Sequence, residues 1–406
     1  MIKLDYIKDI NGGICSIDNV EAAGSREGKY GVSIIVNKGS NASAVFTSNK
    51  VTAASVKYTK KIIKNGKVSA VIANSGNANC FTGDQGIKDC KTLVDIVSKD
   101  LNIPKEEIAI ASTGVIGREM PMDILTKQTY TTLSKISHSP EASLECAKAI
   151  MTTDTVPKEF AIEVTLENNE VVKIAGITKG TGMIAPNMGT MLCFLATDAA
   201  IESKNIHKLL KNAVEDSFNM IVVDGDESTN DMALLMANGA SGVEVSDDEN
   251  FQKGLTYICQ ILAQKMVHDG EGASKFIEAN INGAKSIVDA KKAAKSIISS
   301  SLFKAAVFGG DPNWGRIVSA VGYSGSQINP DIISIGLASD FDSVDLVKNG
   351  KILAFDGTRY LQRAEKIMES AKIVVNVDLN LGESSATAWG CDLTYDYVKI
   401  NAEYTT

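Results

Sequence analysis

Short apolar runs of strand length alternate with amphipathic helical patterns along almost the whole chain of 406 residues. Most of the apolar runs are bounded by Gly, Asn or Ser, which is typical of buried strands that end in turns. The predicted strands are 32–36, 44–47, 70–73, 108–111, 191–196, 332–337 and 373–377, with a hairpin over 164–174. The predicted helices are 206–218, 251–266 and 287–297, and a further one that begins at Pro121. This alternation predicts a layered α/β (α+β) fold.

Charge and composition exclude several classes of protein. The 41 Lys and Arg against 49 Asp and Glu leave a net charge of −8, which argues against a nucleic-acid binder. No uncharged apolar stretch is long enough to span a membrane, and the first ten residues lack the apolar core of a signal peptide. The presence of only three histidines argues against a multi-histidine metal site and a His-dependent triad. We therefore expect a cytoplasmic protein that handles small molecules.

Two segments resemble nucleotide or metal motifs only superficially. Residues 180–185 have the spacing of a dinucleotide fingerprint, but Pro186 and an apolar run follow where that motif requires a helix. The acidic loop 224–231 fails the EF-hand pattern, because Thr229 stands where Gly is required and Leu235 where Glu is required. We expect this loop to cap a following helix and to hydrogen-bond its own backbone, and the alternative is that it forms a wall of an active site. The sequence thus predicts neither a nucleotide nor a metal site.

Two loops of small polar residues follow predicted strands. They are 74–79, Asn-Ser-Gly-Asn-Ala-Asn, and 111–117, Ala-Ser-Thr-Gly-Val-Ile-Gly. Such loops let backbone amides approach an anion or a developing oxyanion, although ordinary turns have the same composition. The turns 268–273 and 311–316 indicate by themselves only helix ends and structural anchors.

Thr190 stands where a polar, Gly- and Pro-rich loop runs directly into the apolar strand that begins at Met191. A threonine hydroxyl is a weak nucleophile and needs a base. Cleavage of the Gly189–Thr190 bond would create a free α-amine with a pKa near 7.7–8.0, which suits it to act as that base. The pattern alone leaves open whether Thr190 is a nucleophile or an ordinary strand residue.

The segment 179–192 resembles the self-cleavage signature of the ornithine acetyltransferase (glutamate N-acetyltransferase) family of arginine biosynthesis. Seven further segments resemble that family in the same order and extend the resemblance over essentially the whole chain. They are 74–79, 112–117, 151–155, 224–226, 268–273, 311–316 and 401–406. Gly189 differs from the alanine that the family often has before the cleaved threonine.

The resemblance implies that the precursor cleaves itself between Gly189 and Thr190 into an α chain, 1–189, and a β chain, 190–406. Both chains would contribute to one αββα sandwich, of the kind found in self-cleaving ornithine acetyltransferases and aminopeptidases, and to one active site. A smaller lobe would come from the β chain. Two copies of each chain would assemble as α2β2.

The same resemblance implies a reaction and the residues that perform it. An acetyl group would move from N2-acetyl-L-ornithine to L-glutamate through an acetyl ester on Thr190, with an oxyanion hole formed by Thr113 and Gly114. Lys179 would hold a substrate carboxylate, and Glu271 the ornithine ammonium. The residues implied to line the substrate site are Thr153, Lys179, Thr190, Glu271, Asn401 and Thr406. No metal or cofactor is implied.

Two other functions remain open at this point. An N-terminal-nucleophile amidohydrolase or aminopeptidase would use the same fold and self-cleavage, but would release the acyl group to water. An uncleaved amino-acid-binding protein would need none of this chemistry, and the presence of Thr190, Thr113 and Gly114 argues against it. The sequence also does not decide whether acetyl-CoA serves as a second acetyl donor.

Overall fold

The structure is a computed structural model that describes residues 4–185 and 191–403. Gly189, Thr190 and Thr406, which the sequence analysis singles out, lie outside the described residues. The chain divides into a larger unit, Met1–Asn219 with Asp226–Met266, and a smaller unit, Met220–Gly225 with Val267–Thr406. These units are compact bodies rather than cleavage products, so the predicted α and β chain boundaries stay a prediction.

The elements are numbered here in chain order. The strands are β1 (Ile7–Asp9), β2 (Glu21–Glu27), β3 (Tyr30–Val36), β4 (Asn41–Phe46), β5 (Ala70–Ser75), β6 (Ile108–Ser112), β7 (Lys158–Thr165), β8 (Val171–Lys179), β9 (Leu192–Thr197), β10 (Ile221–Val222), β11 (Met232–Ala237), β12 (Phe276–Ala284), β13 (Ser334–Ala338), β14 (Ser343–Lys348), β15 (Lys351–Ile352), β16 (Lys372–Asp378) and β17 (Ser384–Cys391). The helices are α1 (Ala54–Ile62), α2 (Gly83–Leu101), α3 (Met122–Leu133), α4 (Pro140–Ala149), α5 (Ser203–Glu215), α6 (Glu249–His268), α7 (Ile287–Ser299), α8 (Ser301–Gly309), α9 (Trp314–Gly322), α10 (Arg359–Met368) and α11 (Tyr395–Glu403).

The larger unit contains two sheets that share one apolar core. Their strand orders are β1-β7-β8-β9-β11-β4 and β2-β3-β5-β6. Side chains from both sheets, such as Ile35 and Phe194, form a single buried cluster. Because side chains alternate between the two faces of a strand, Ile34 points to the opposite side, where it joins the buried faces of α2 and α3.

Helices also cover the other face of the six-stranded sheet. α5 packs against β4 and β11, and the ring of Tyr257 on α6 lies 6.4 Å from the ring of Phe160 on β7. A Cβ atom at Gly176 on β8 would lie 3.3 Å from Leu262 of α6, so that helix packs closely on the strand. The larger unit is therefore the four-layered αββα sandwich that the resemblance implies.

The six-stranded sheet takes strands from both sides of the Gly189–Thr190 bond. β8 pairs antiparallel with β9, with Lys179 opposite Leu192. β9 in turn pairs in parallel with β11, where Leu192 lies opposite Met232. Backbone hydrogen bonds within one sheet thus join the two segments that the predicted cut would separate.

The smaller unit is built on a sheet with strand order β10-β17-β12-β16-β13-β14-β15. α7 packs against β12 and β17, and α10 packs against β13 and β14. The side chains of Ser286 and Thr358 accept hydrogen bonds from the first turns of α7 and α10, so a capping residue marks where each helix begins.

The structure confirms the predicted strands and helices within a few residues at their ends, but one prediction is wrong. The acidic loop 224–231 does not cap a helix, because the strand β11 follows it directly. The sequence of β11, Met-Ala-Leu-Leu-Met-Ala, consists of good helix formers. All six residues are buried, and a central strand covered on both faces accepts such a continuous apolar run. Tertiary burial therefore overrides local propensity here.

The start of α3 also differs slightly from the prediction. α3 begins at Met122, so Pro121 precedes the helix by one residue instead of occupying its first turn. In the described part of the chain, no helix combines the length and the apolar character that crossing a bilayer requires.

Candidate active site

The loop after β6 carries the two predicted oxyanion donors, Thr113 and Gly114. The Thr113 backbone N–H donates to the Asn74 carbonyl at 2.9 Å, so that donor is occupied. Within residues 4–185 and 191–403, the Thr113 hydroxyl and the Gly114 N–H have no hydrogen-bond partner. Two unoccupied donors on consecutive residues of a well-packed loop have the chemistry of an oxyanion hole.

Gly114 is the residue that this loop geometry requires. Its φ of 131° lies in the region that favours glycine. A Cβ atom would lie 2.3 Å from the carbonyl carbon of Gly76 and 2.5 Å from the nitrogen of Asn77. The two loops that the sequence analysis selected, 74–79 and 111–117, therefore pack backbone to backbone.

Asn230 fastens both loops to the start of β11. Its side-chain amide donates to the carbonyl of Ala78 at 2.6 Å and to that of Ser112 at 2.7 Å. The Ser112 carbonyl belongs to the peptide group that joins Ser112 to Thr113. Because both acceptors are main-chain carbonyls, Asn230 holds the backbone of the oxyanion loop in place.

Asp231 contacts the main chain just after the predicted cut, at Met191. This fully buried residue accepts a hydrogen bond through Oδ1 from the Met191 N–H at 2.8 Å. Met191 directly follows Thr190. Adjacent residues, Asn230 and Asp231, thus connect the oxyanion loop with the main chain next to the predicted nucleophile.

Neither Asn230 nor Asp231 was predicted as a site residue. The segment 224–231 was expected to be a capping loop, with a wall of the active site as the alternative. The available signal was two polar residues immediately before a continuous apolar run, since polar groups drawn into a core need specific partners there.

Lys179 ends β8 in a buried charged cluster. Its side chain is only 3% exposed, and its Nζ donates to the Thr152 hydroxyl at 2.9 Å and lies 3.8 Å from Asp154 Oδ2. Asp154 also accepts from the buried Nζ of Lys158 at 2.7 Å and from the Gly180 N–H at 2.8 Å. The residues around Lys179 therefore fix the position of its ammonium group.

The carboxyl group of Asp154 is ionised within this cluster. Burial alone would raise the pKa of Asp154, but the charges of Lys179 and Lys158, together with hydrogen bonds, lower it to about 2. Asp154 is therefore a carboxylate at neutral pH, and it lies beside the ammonium groups of Lys158 and Lys179.

Thr153 lies in the same part of the larger unit as Lys179. Its hydroxyl shares a hydrogen bond of 2.7 Å with that of Thr181, two residues beyond Lys179. The segment 151–155 is thus joined to the end of β8 and the residues after it through Thr152, Thr153 and Asp154.

The predicted residues Glu271 and Asn401 meet in the smaller unit. α6 ends at His268, and the following turn contains Gly272 at a φ of +66°. A Cβ atom at Gly272 would lie 2.5 Å from the backbone nitrogen of Tyr397, so α11 packs tightly on this turn. Asn401 on α11 donates through Nδ2 to Glu271 Oε2 at 2.8 Å.

The structure thus brings the predicted residues together within each unit. Thr113, Gly114, Thr153 and Lys179 lie in the larger unit, and Glu271 and Asn401 lie in the smaller one. Over residues 4–185 and 191–403, no group of three or more His, Cys, Asp or Glu side chains is arranged to hold a metal ion.

The turn 311–316 has the anchoring role that the sequence indicates. Asn313 caps α9 by accepting a hydrogen bond from the Arg316 N–H at 3.1 Å. The indole N–H of Trp314 donates to the Ala354 carbonyl at 3.1 Å. Both bonds hold the start of α9 against neighbouring segments of the smaller unit.

Comparisons with known proteins identify relatives of this arrangement. The model of the ArgJ family matches residues 18–406. A glutamate N-acetyltransferase of Methanothermobacter thermautotrophicus is 51% identical over 400 residues, which cover 98% of this chain and 99% of the relative. One of Methanocaldococcus jannaschii is 49% identical over 402 residues, which cover 98% of this chain and 99% of the relative.

Two solved structures of related proteins match part of this chain. The arginine biosynthesis bifunctional protein argJ of Bacillus halodurans matches with a TM-score of 0.48 and 38% identity, over 52% of this chain and 98% of that chain. The ornithine acetyltransferase of Mycobacterium tuberculosis, solved with ornithine, matches with a TM-score of 0.41 and 33% identity, over 44% of this chain and 98% of that chain.

Proposed function

This chain belongs to the ArgJ family and is an acetyltransferase of arginine biosynthesis with glutamate as acceptor, and on that premise we propose how it works. The precursor cleaves its own Gly189–Thr190 bond. Thr190 then carries the acetyl group from N2-acetyl-L-ornithine to L-glutamate, which yields L-ornithine and N-acetyl-L-glutamate.

The transfer proceeds in two acyl-transfer steps. The Thr190 hydroxyl attacks the acetyl carbonyl of N-acetylornithine while its own α-amine accepts the hydroxyl proton. The Thr113 hydroxyl and the Gly114 N–H donate to the oxyanion that develops. Ornithine leaves with a proton and an acetyl ester remains on Thr190. The glutamate amine then attacks this ester and restores the hydroxyl.

The observation that carries this mechanism is the link between the oxyanion loop and the residue after Thr190. Asn230 holds the Ser112 carbonyl at 2.7 Å, and the adjacent Asp231 holds the Met191 N–H at 2.8 Å. Two adjacent residues therefore hold the main chain just before the proposed donors and just after the proposed nucleophile. This supports the proposal, because acyl transfer requires that the attacking and stabilising groups lie close together.

The charges at the site support recognition of an amino-acid substrate. Thr152 and Asp154 hold the ammonium group of Lys179 in place, and its positive charge suits Lys179 to bind the substrate carboxylate. Glu271 is suited to bind the ornithine side-chain ammonium, with Asn401 fixing one of its oxygens at 2.8 Å. Thr153 and Thr406 complete the proposed substrate site.

The remaining expectations from the sequence belong to the same proposal. The enzyme works in the cytoplasm without metal or cofactor, with acetyl-CoA only as a possible second acetyl donor. Its α and β chains, 1–189 and 190–406, assemble as α2β2.

The decisive test is the identity of the new chain start. N-terminal sequencing of the purified protein should find Thr190-Met191-Leu192 beside the original N-terminus. Thr190→Ala should abolish cleavage and turnover, whereas Thr190→Ser should retain part of both. Full transferase activity in a protein that stays a single chain would contradict the role of the free α-amine.

A donor and acceptor assay separates the related functions. N-acetylornithine with glutamate should yield N-acetylglutamate, and omission of glutamate should leave hydrolysis slow. Fast hydrolysis without glutamate would instead indicate an amidohydrolase. The same assay with acetyl-CoA in place of N-acetylornithine shows whether the enzyme is bifunctional.

A further inference from the structure

Asp231 is a buried carboxyl group that the proposed acetyl transfer does not use chemically. It is the last residue before β11 and is fully buried. Its Oδ1 accepts the Met191 N–H at 2.8 Å. Since β11 runs beside β9 with Met232 opposite Leu192, this bond extends the pairing of the two strands toward Thr190. The carboxyl group therefore contacts the main chain at Met191, immediately before β9.

The second carboxyl oxygen of Asp231 is buried and unsatisfied. Within residues 4–185 and 191–403, Oδ2 has no hydrogen-bond partner. The nearby Thr47 hydroxyl donates to the Ser228 carbonyl at 2.6 Å. A buried carboxylate oxygen without a donor is costly, whereas a protonated carboxyl is neutral and can itself donate a hydrogen bond. The surroundings of Asp231 therefore favour its protonated form.

The charged groups around Asp231 lead to the same conclusion. Burial raises its pKa well above the usual range, and the hydrogen bond from the Met191 N–H lowers it only in part. The charge of Glu227 raises the pKa further, and that of Lys179 lowers it. The net effect is a raised pKa, which favours the protonated form of Asp231.

We propose that Asp231 is the proton carrier of self-cleavage, an inference that rests on the proposed cut at Gly189–Thr190. The Thr190 oxygen attacks the Gly189 carbonyl carbon, a C–O bond forms, and the C–N bond breaks. Asp231 gives its proton to the departing Thr190 nitrogen and receives the proton of the Thr190 hydroxyl. Water then hydrolyses the ester to the Gly189 carboxylic acid and the free Thr190 hydroxyl, so all atoms balance.

Covalent geometry supports this assignment. The nitrogen released by the cut and the Met191 nitrogen are joined through N–Cα–C–N, and these three bonds span at most about 3.7 Å. Asp231 Oδ1 lies 2.8 Å from the Met191 nitrogen. A departing amine is a poor leaving group until it is protonated, so an acid this near the scissile bond is chemically useful.

The test compares two isosteric variants, Asp231→Asn and Asp198→Asn. Asp198 follows the other end of β9, is 4% exposed and accepts the Lys173 N–H at 2.7 Å. Burial raises its pKa as well, although Lys173 partly opposes this. The two changes therefore remove comparable carboxyl groups from the two ends of one strand. Asn keeps the acceptor for the backbone N–H in each variant and loses the transferable proton.

Precursors are made by cell-free translation, and cleavage is followed over time by intact mass from pH 5 to pH 10. We expect Asp231→Asn to cleave at least about a hundred-fold more slowly than the parent, the lower end of a general acid–base contribution. The parent rate should fall as rising pH removes the Asp231 proton, whereas the residual rate of Asp231→Asn should lack this fall. Asp198→Asn should follow the parent in rate and profile.

Cleavage of Asp231→Asn at the parent rate would overturn the proposal, and so would an equal loss of rate in Asp198→Asn. If Asp231→Asn does not fold, as judged by its circular dichroism, the pH profile of the parent decides, and a rate that does not fall at high pH refutes the inference. A parent that is never cut at Gly189–Thr190 refutes the proposed function itself. The two failures are thus distinguishable.

Discussion

Asn401 donates a hydrogen bond of 2.8 Å to the carboxylate of Glu271, from which it is separated by 130 positions in the sequence. The same amide also donates to the Tyr397 carbonyl at 3.1 Å, one turn earlier on α11. One oxygen of Glu271 is thus held by a side chain that is itself bonded to its helix. This arrangement suits a carboxylate that binds a ligand cation, because the hydrogen bond reduces the side-chain freedom that binding would cost.

Glu271→Gln should impair recognition of the donor substrate without unfolding the protein. The change removes a charge-assisted hydrogen bond to the ornithine ammonium, worth about 1.5–3 kcal/mol, so kcat/KM for N-acetylornithine should fall about ten- to a hundred-fold. Self-cleavage should be unaffected, since it involves no ornithine. Asp396→Asn, an exposed carboxyl on α11 beside the same turn, is the matched control. Equal kinetics for Glu271→Gln and the parent would refute the assigned role.

Gly114→Ala should abolish turnover, because a methyl group there would lie 2.3 Å from the Gly76 carbonyl carbon and would displace the loop. Loss of one oxyanion donor typically costs about 10²–10³-fold in kcat. Gly117→Ala is the control, since Gly117 also has a positive φ, of 78°, but its Cβ would meet nothing within 4 Å. Similar kcat values for the two variants would show that backbone strain, and not the displacement of the donors, limits the rate.

Asn230→Ala should lower kcat more than it raises KM. It leaves the carbonyls of Ala78 and Ser112 without their donor, and unpaired buried groups cost about 1–3 kcal/mol each. The matched control is Asn238→Ala at the other end of β11, where the side chain bonds the Asp18 carbonyl and Asn37 Oδ1. Thermal melting measures the stability change of each variant. Loss of stability with unchanged kcat would make Asn230 a purely structural residue.

Asp154 should contribute acid-labile stability. Its pKa is lowered from 3.8 to about 2, so its charged form favours the folded state above pH 4 and this contribution is lost as the pH falls toward 2. By linkage the contribution is about 2 kcal/mol. Urea unfolding of the parent and Asp154→Asn at pH 7, 4 and 2.5 should show the stability difference shrinking with falling pH.

Asp198→Asn serves as a control of opposite sign. The raised pKa of Asp198 means that its protonated form favours the folded state, so its contribution decreases as the pH rises. The stability advantage of the parent over this variant should therefore grow toward low pH. A difference between the parent and Asp154→Asn that is constant over the whole pH range would show that the Lys179 and Lys158 charges do not stabilise Asp154.

The local patterns of this sequence predicted most of the strands and helices that they were used to predict. The period-two alternation of β3, with Ile34 on one face and Ile35 on the other, and the helical spacing of α5 and α6 were enough to predict elements close to those observed. The exception was β11, whose residues favour a helix locally. Only its place between β9 and β4, buried on both faces, makes it a strand.

The sequence by itself determined the family resemblance, the predicted cut and the loop that carries Thr113 and Gly114, because each of these depends on short motifs of contiguous residues. Only the tertiary structure showed that Asn230 bonds Ser112, that Asp154 holds Lys179, and that Glu271 meets Asn401. The two residues of each pair lie at least 25 positions apart in the sequence, so no local pattern predicts that they meet. Asn230 and Asp154 are buried, where a low dielectric strengthens their hydrogen bonds, and which groups share that interior is decided when the sheets pack. Glu271 meets Asn401 only because α11 packs on the turn after α6.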